Sequence, residues 1–226
     1  MVFDRKEKVL RANGQVRTRQ NGNAGRAMSG PFTSGKEPTL ITAQKLEMRD
    51  KEGVAIYSHN AWVRQDESFV HAETVELYNA TQEMIAKTNV SSQTQFAGDA
   101  KAAARTPRLP TKIQADRMHY RQKDQRIYYE KGVRLLHNGT EINAETADLF
   151  MDGNENRVEK AYFKKRVTIK QPERQGHGDE AEYYASEDKI VLIGNLAEID
   201  SKSKGKSIGK RLTIYNNGDK IFIESR

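Results

Sequence analysis

Apolar and polar residues alternate with a period of two along most of the chain. In the stretch 113–120, apolar side chains stand at Ile113, Ala115, Met118 and Tyr120, so the alternation slips by one residue in the middle. A period of two is typical of half-buried strands, whereas a helix repeats every 3.6 residues. The pattern therefore predicts an all-β protein with almost no helix.

The alternation is organised into an internal repeat with two interleaved anchor positions. First anchors are small residues followed by apolar residues three and five positions later: Ala43, Ala72, Ala115, Ala144, Gly178 and Gly209. Second anchors are preceded by apolar residues six and four positions earlier: Val16, Ala61, Val90, Val133, Val167 and Leu196. The underlying unit is 29 residues, an 18-residue step followed by an 11-residue step. A fixed period of this length indicates a repeat architecture in which each unit buries a thin strip of side chains.

The connections between successive strands are short and rich in Asp, Asn and Gly, as at 50–53 and 137–139. Such residues form the tight turns of hairpins, and a short turn makes the two strands antiparallel. We predict a stack of hairpins that adds one strand to each of two facing antiparallel sheets. The slip in alternation after each first anchor predicts a β-bulge or bend, which directs the chain around an edge.

The repeat runs through the whole chain, which predicts one repeat domain over residues 1–226. Two insertions rich in Gly, Ser, Ala and Pro interrupt it at about 21–38 and 93–110, and their composition predicts mobile loops. The register also places both chain ends inside a strand pair. We therefore expect this domain to be a segment of a longer array.

Composition narrows the class of function. Hydrophobic residues make up 36% and charged residues 31% of the chain, and no apolar run reaches the length of a membrane span. The first residues lack the apolar core of a secretory signal. The net charge of +7 makes an anionic partner plausible, while the absence of cysteine excludes disulfides and thiolate sites.

No constellation of catalytic or metal-binding residues emerges from the spacing. The five histidines are scattered, and His71 and His177, which share a repeat position, are expected to be solvated on the outer surface. The sequence therefore predicts no enzyme activity, no catalytic residues, no metal site and no cofactor.

The motifs themselves resemble a known repeat. The stretches 113–120 (IQADRMHY) and 127–133 (IYYEKGV), and the step Gly194-Asn195-Leu196, resemble the OstA-like repeat. This repeat builds the periplasmic lipopolysaccharide-transport proteins of the LptA and LptC type and the N-terminal domain of their outer-membrane partner. The resemblance covers the chain outside the two insertions.

The resemblance implies a twisted, open β-jellyroll that binds lipopolysaccharide and forms part of a bridge carrying it to the outer membrane. The protein would act in the periplasm, with any signal or anchor outside this chain, in outer membrane biogenesis. The acyl chains would lie in an apolar groove lined by the inward positions Ile41, Ala43, Leu46, Met48, Tyr57, Val63, Ile113, Ala115, Met118, Tyr120, Ile127, Tyr129, Val133, Leu135, Ile142, Leu149, Phe163, Val167, Ile169 and Leu192.

The resemblance also implies end-to-end partners. Strand pairing would join this domain to other OstA-like domains or to itself, and the edge residues Ile221, Phe222 and Ile223 are poorly protected against such pairing. Some inward positions depart from the family pattern: Thr18, Ser92, Gly176, Glu198 and Ser207 replace apolar residues. We expect the two sheets to gape at these positions and admit water.

Three other interpretations remain open on the sequence. A structural β-repeat scaffold that binds no lipid would show the same pattern. A polysaccharide-binding or carbohydrate-active β-solenoid is disfavoured by the hairpin turns and by the lack of a carboxylate pair. A nucleic-acid binder would need outward aromatic residues beside cations, and Trp62 with Arg64 is the only good candidate. We expect no nucleic-acid partner.

Overall fold

A computed structural model describes residues 1–20, 38–65, 67–94, 110–152, 157–215 and 220–224. The two predicted insertions lie outside the described residues, apart from their flanking positions, and residues 93 and 94 belong to a strand. The single-domain assignment stays a prediction. In the described part of the chain no helix is long and apolar enough to cross a membrane.

Fourteen strands and one short 3₁₀ turn at Gln122–Asp124 make up the described structure. The strands are β1 (Val2–Asp4), β2 (Val9–Gln20), β3 (Thr39–Arg49), β4 (Val54–Gln65), β5 (Ser68–Tyr78), β6 (Glu83–Thr94), β7 (Thr111–Arg121), β8 (Arg126–His137), β9 (Thr140–Asp152), β10 (Arg157–Gln171), β11 (Arg174–Tyr184), β12 (Lys189–Ser201), β13 (Gly205–Tyr215) and β14 (Lys220–Glu224). They form one open sheet in chain order.

Each strand pairs with its sequence neighbours, and each recorded pair is antiparallel. The predicted all-β fold of antiparallel hairpins is therefore confirmed. The parallel β-solenoid is wrong, because a solenoid coil needs parallel neighbours.

The bend predicted after each first anchor is present as a register shift. Between β4 and β5, for example, Ser58 pairs with Thr74 and Ala61 with Ala72, so two residues of β4 lie opposite one of β5. In β4, β6, β8 and β10 both residues of the bulge have left-handed backbones: His59 and Asn60, Thr88 and Asn89, Lys131 and Gly132, Lys165 and Arg166. A two-against-one bulge increases the local twist and bends the strand.

The bulges divide the sheet into two halves. Half-sheet A contains the strand segments joined by the turns near 50–53, 79–82, 122–125 and 185–188. Half-sheet B contains the segments on the other side of the bulges, such as 61–65, 68–72 and 133–137. The predicted pair of facing sheets is thus one continuous sheet folded along its line of bulges.

A hydrogen bond across the interior shows that the two halves face each other. The Ser92 Oγ in half-sheet B lies 2.7 Å from the Tyr129 hydroxyl oxygen in half-sheet A, although β6 and β8 are not neighbours in the sheet. Both residues are buried, in a core that runs from β3 to β13. The core is therefore a thin apolar layer between the two halves, consistent with the low hydrophobic fraction.

One predicted anchor is wrong. Leu196 is 71% exposed, and the next residue, Ala197, is fully buried and pairs with Gly209. The bulge of β12 has three residues, Gly194 to Leu196, where the earlier repeats have two. The inward position beyond this bulge is consequently Ile199, and Glu198 faces outward to Lys206, 2.7 Å away.

Candidate functional site

The candidate site is the apolar layer between the half-sheets, and the structure brings together the residues predicted to line a lipid groove. Nineteen of the twenty predicted groove residues are buried. The exception is Met48, which faces inward beside Leu10 and Ala55 but is 39% exposed at the N-terminal end of the layer. Burial agrees with the predicted inward facing, while contact with lipid stays a prediction.

The two ends of the layer are open. Half-sheet A includes β1 and β14, whereas the described segments of half-sheet B run only from β2 to β13. Inward residues on the end strands of half-sheet A are therefore uncovered: Phe3 is 55% exposed and Ile223 is 51% exposed. Apolar surface that leads from solvent into the core is thus present at both ends.

The centre of the layer is filled by the protein's own side chains. Met118, Ile127, Tyr129 and Phe163 have no exposed surface. The cavities at the surface are lined mainly by polar residues: one of about 240 Å³ lies beside His177 and Glu198, and one of about 360 Å³ beside Arg174 and Lys202. An acyl chain would have to enter the layer from an open end or by separating the half-sheets.

The inward tyrosines are held by specific polar partners. Tyr129 contacts Ser92, and the Tyr57 hydroxyl donates to the Thr18 Oγ1 at 3.2 Å, again from half-sheet A to half-sheet B two strands away. Burial raises the pKa of the Tyr129 and Tyr57 hydroxyls, because the phenolate would lose hydration. These hydroxyls therefore act as neutral structural hydrogen-bonding groups.

These contacts correct the expectation that the sheets gape at two of the polar inward positions, Ser92 and Gly176, whereas Thr18 and Ser207 are half-buried. Ser92 is only 1% exposed and is satisfied by Tyr129. At Gly176 a Cβ atom would lie 2.8 Å from the Glu198 carbonyl oxygen and 3.2 Å from Leu192 Cδ2, so the neighbouring side chains already fill that space. The layer is closed at both positions.

A continuous line of inward polar side chains borders the apolar layer on half-sheet B. Each lies two residues beyond the last inward position of its strand, next to the connections between segments of half-sheet B. We call this line the polar row, and it has one residue from each strand from β2 to β12: Gln20, Thr39, Gln65, Ser68, Thr94, Thr111, His137, Thr140, Gln171, Arg174 and Ser201.

Neighbours in the polar row are linked by hydrogen bonds. The Thr111 Oγ1 lies 2.7 Å from the His137 Nδ1, and the Gln171 Nε2 donates to the Thr140 Oγ1 at 2.8 Å. The sequence analysis missed this row because it stopped at the last apolar position. The signal was present: one further step along the period of two from Ile113 and Leu135 reaches Thr111 and His137.

The polar row meets half-sheet A at His137. The His137 ring lies edge-on to the Tyr183 ring with centroids 6.0 Å apart, and the Tyr183 hydroxyl donates to the Asp188 Oδ1 at 3.3 Å. His137, Tyr183 and Asp188 also line a cavity of only about 10 Å³. Burial lowers the pKa of His137, and the nearby Asp188 carboxylate opposes this shift. The margin of half-sheet B that carries the polar row is therefore in contact with half-sheet A here.

The two histidines that share a repeat position, His71 and His177, have different neighbours. His71 stacks on Trp62, with ring centroids 4.1 Å apart, and its Nε2 lies 2.7 Å from the Asn60 Oδ1. His177 lies 4.0 Å from Glu198. Within the described ranges, no group of three or more His, Cys, Asp or Glu side chains is placed to hold a metal ion.

Part of the chain matches a known protein family. Residues 112–220 match the family model described as LptA/(LptD N-terminal domain) LPS transport protein. Among solved structures, LptH from Pseudomonas aeruginosa, described as the LptA homologous periplasmic component of the conserved lipopolysaccharide transport device, is 19% identical. Its match covers 52% of this chain and 83% of LptH, with a TM-score of 0.46. No curated protein sequence matches the chain.

The family match covers seven strands, from the second residue of β7 to the end of β13, with their bulges and the buried residues between them. The OstA-like resemblance predicted from the sequence is therefore confirmed over residues 112–220, slightly less than half of the chain, which match the LptA/LptD N-terminal domain family of lipopolysaccharide-transport proteins.

Proposed function

We propose that this protein binds lipopolysaccharide by its acyl chains between the two half-sheets and forms a segment of the bridge that carries it to the outer membrane. The observation that carries the proposal is the apolar layer, which is continuous from β3 to β13 and uncovered at both ends. Acyl chains gain free energy when they leave water for such a surface. In this proposal the protein binds the lipid and sets the direction in which it moves. The family that the chain matches is one of transport.

The N-terminal end is the entrance that the structure favours. All inward residues of β2, including Leu10, Ala12 and Val16, are only half-buried, whereas those of the central strands are buried. Ala12 and Val16 nevertheless pack against the core. An acyl chain lying along β2 would therefore cover apolar surface without first displacing core side chains.

We also place this protein in the periplasm, in end-to-end contact with related domains or with copies of itself. The match to a family of lipopolysaccharide-transport proteins supports this location. In the described structure β1 and β14 each have a strand neighbour on one side only. Exposed Phe222 and Ile223 on β14 make that edge apolar as well as unpaired.

Lipid binding is tested by placing a charge at the open end. Met48→Glu puts a carboxylate among the inward residues without cutting into the closed centre, and Gln44→Glu on the same strand places the same charge on an exposed outward residue. A carboxylate beside acyl chains is costly, so Met48→Glu should weaken binding of fluorescent lipopolysaccharide roughly tenfold or more. Gln44→Glu should bind as the wild type does.

The same experiment separates the proposal from a scaffold that binds no lipid. A wild-type protein that binds no lipopolysaccharide would favour the scaffold, and mass spectrometry of co-purifying lipids would give a second measurement. Unchanged binding by folded Met48→Glu would move the lipid to the outer surface and would overturn the interior site. Circular dichroism and thermal unfolding confirm that each variant is folded.

A further inference from the structure

We propose that the polar row is a second part of the lipid site, which hydrogen-bonds the uncharged hydroxyl and amide groups at the root of the acyl chains. This inference rests on the proposed function, because it requires that acyl chains enter the adjacent apolar layer. It adds a prediction of ligand chemistry: an acyl chain that carries a hydroxyl near its head should bind better than a plain one.

The position of the polar row supports this assignment. On every strand from β2 to β12 it lies one inward step beyond the apolar layer, a distance of two residues or about 6.6 Å along a strand. A ligand whose chains fill the apolar layer would therefore bring the first polar atoms above those chains to the level of the row. The row continues across the sheet, so it would meet the ligand at any point along the layer.

The chemistry of the polar row selects the ligand class. Its members are hydroxyl and amide side chains except for His137 and Arg174. Hydroxyls and amides both donate and accept hydrogen bonds, which suits hydroxyl and amide groups of a ligand. A phosphate site would instead contain several cationic side chains, because charge-assisted hydrogen bonds from Arg and Lys are the strongest that a phosphate accepts.

Two members of the polar row have buried polar atoms without a partner. The Thr94 residue is 1% exposed, and neither its Oγ1 nor the buried Gln20 Oε1 has a hydrogen-bond partner among the described residues. In contrast, the hydroxyls of Ser92 and Thr18, one step deeper, are bonded to Tyr129 and Tyr57. Leaving such atoms unpaired costs free energy that a ligand hydroxyl would recover. The unpaired atoms thus lie in the row that the ligand's polar root would reach.

The test compares two acids that differ by one hydroxyl, lauric acid and 3-hydroxylauric acid, by displacement of a fluorescent fatty acid from the full chain. The wild type should bind the hydroxylated acid more tightly, by roughly two- to tenfold for one buried hydrogen bond. Thr94→Val and Gln20→Met remove the unpaired polar atoms at similar shape. Each should reduce the preference for the hydroxylated acid, measured as the ratio of the affinities for the two acids.

The control is Thr213→Val, which makes the same chemical change on the outward face of β13, between the buried residues Leu212 and Ile214. It should keep the preference. Because the Thr94 Oγ1 has no hydrogen-bond partner among the described residues, Thr94→Val should unfold at or above the wild-type temperature. Equal affinities of the wild type for the two acids, or a full preference in both row variants, would overturn the inference alone. Failure of both acids to bind would instead contradict the proposed function.

Discussion

At the scale of single residues, the interior is specified by pairs that match across it. Two inward tyrosines of half-sheet A, Tyr57 and Tyr129, face Thr18 and Ser92, each two strands earlier. Phe163 is the equivalent inward residue of β10, and the position that faces it two strands earlier is Leu135, which has no polar group. A buried phenol needs a hydrogen-bond partner and a phenyl ring does not, so the two positions change together.

This matching predicts a non-additive effect on stability. Ser92→Ala leaves the fully buried Tyr129 hydroxyl without its partner and should lower the free energy of unfolding by about 1–3 kcal/mol. The double variant Ser92→Ala/Tyr129→Phe removes both polar groups, so it should cost less than the sum of the single variants. Denaturant unfolding of the four proteins measures this coupling, and strict additivity would show that the hydroxyls do not interact.

His137 predicts a pH dependence. Because burial lowers its pKa in the folded state, the unfolded chain takes up the proton more readily. The contribution of His137 to the free energy of unfolding is fully present above the ordinary histidine pKa of about 6.5. This contribution falls as the pH drops from that value toward the lower pKa of the folded state. Thermal unfolding from pH 7.5 to 5 should show this loss in the wild type.

The matched variant for this measurement is His137→Gln, because Gln65 and Gln171 occupy the equivalent place in β4 and β10. It should unfold with a smaller pH dependence below pH 6.5 than the wild type. Because His137 contacts Tyr183 across the interior, we expect the two half-sheets to separate more easily at this contact when His137 is protonated. An identical pH profile for the two proteins would contradict the assignment of this pH dependence to His137.

At the scale of strands, the sequence was sufficient for the fold because three independent signals agreed. The period of two, the turn residues and the 29-residue unit all required antiparallel hairpins. The slip after each first anchor predicted where the register shifts, although the extra residue lies in the partner strand, just before the second anchor. The bulge of β12 was misplaced because its third residue, Leu196, is apolar and fits the anchor pattern. The pattern records which residues are apolar and carries no direct information on the length of a bulge.

The candidate site was predictable only in part. The inward alternation identified the apolar layer, yet it could not show that side chains such as Phe163 and Met118 fill its centre, since packing depends on how closely the half-sheets approach. Likewise, Gly176 suggested a gap from its small size. The structure closes that gap with Leu192 and Ile199, which lie where a larger side chain would have to stand.

The register of β12 gives a sharp prediction. Ala197→Asp would bury a carboxylate in the core and should destabilise the protein by several kcal/mol, whereas Leu196→Asp adds the same charge to an exposed bulge and should change stability by less than about 1 kcal/mol. Thermal or denaturant unfolding distinguishes them. The opposite order of effects would restore Leu196 as the inward anchor.

At the scale of the whole molecule, the open sheet has edge strands through which two molecules can associate. If β14 pairs with β1 of another copy, light scattering should show species that grow with protein concentration. The N–H groups of residues 221 and 222 point to opposite sides of β14, so one of the variants Ile221→Pro and Phe222→Pro removes an outward donor and should suppress association.

The other proline variant should mainly weaken the pairing of β14 with β13, where Ile214 pairs with Ile221 and Thr213 with Phe222. This difference separates an effect on the edge from an effect on folding. A wild-type protein that stays monomeric at high concentration and binds no related domain would contradict assembly through β14.

The most direct test of the central claim is photocrosslinking to labelled lipopolysaccharide with one photoreactive residue at a time. The inward positions Leu10 and Met48 and their outward neighbours Arg11 and Glu47 lie on paired strands at the open N-terminal end. Because successive side chains of a strand point to opposite faces, binding between the half-sheets predicts crosslinks at Leu10 and Met48 and almost none at Arg11 and Glu47. Equal crosslinking at all four positions, or crosslinks at the outward pair alone, would contradict an interior lipid site.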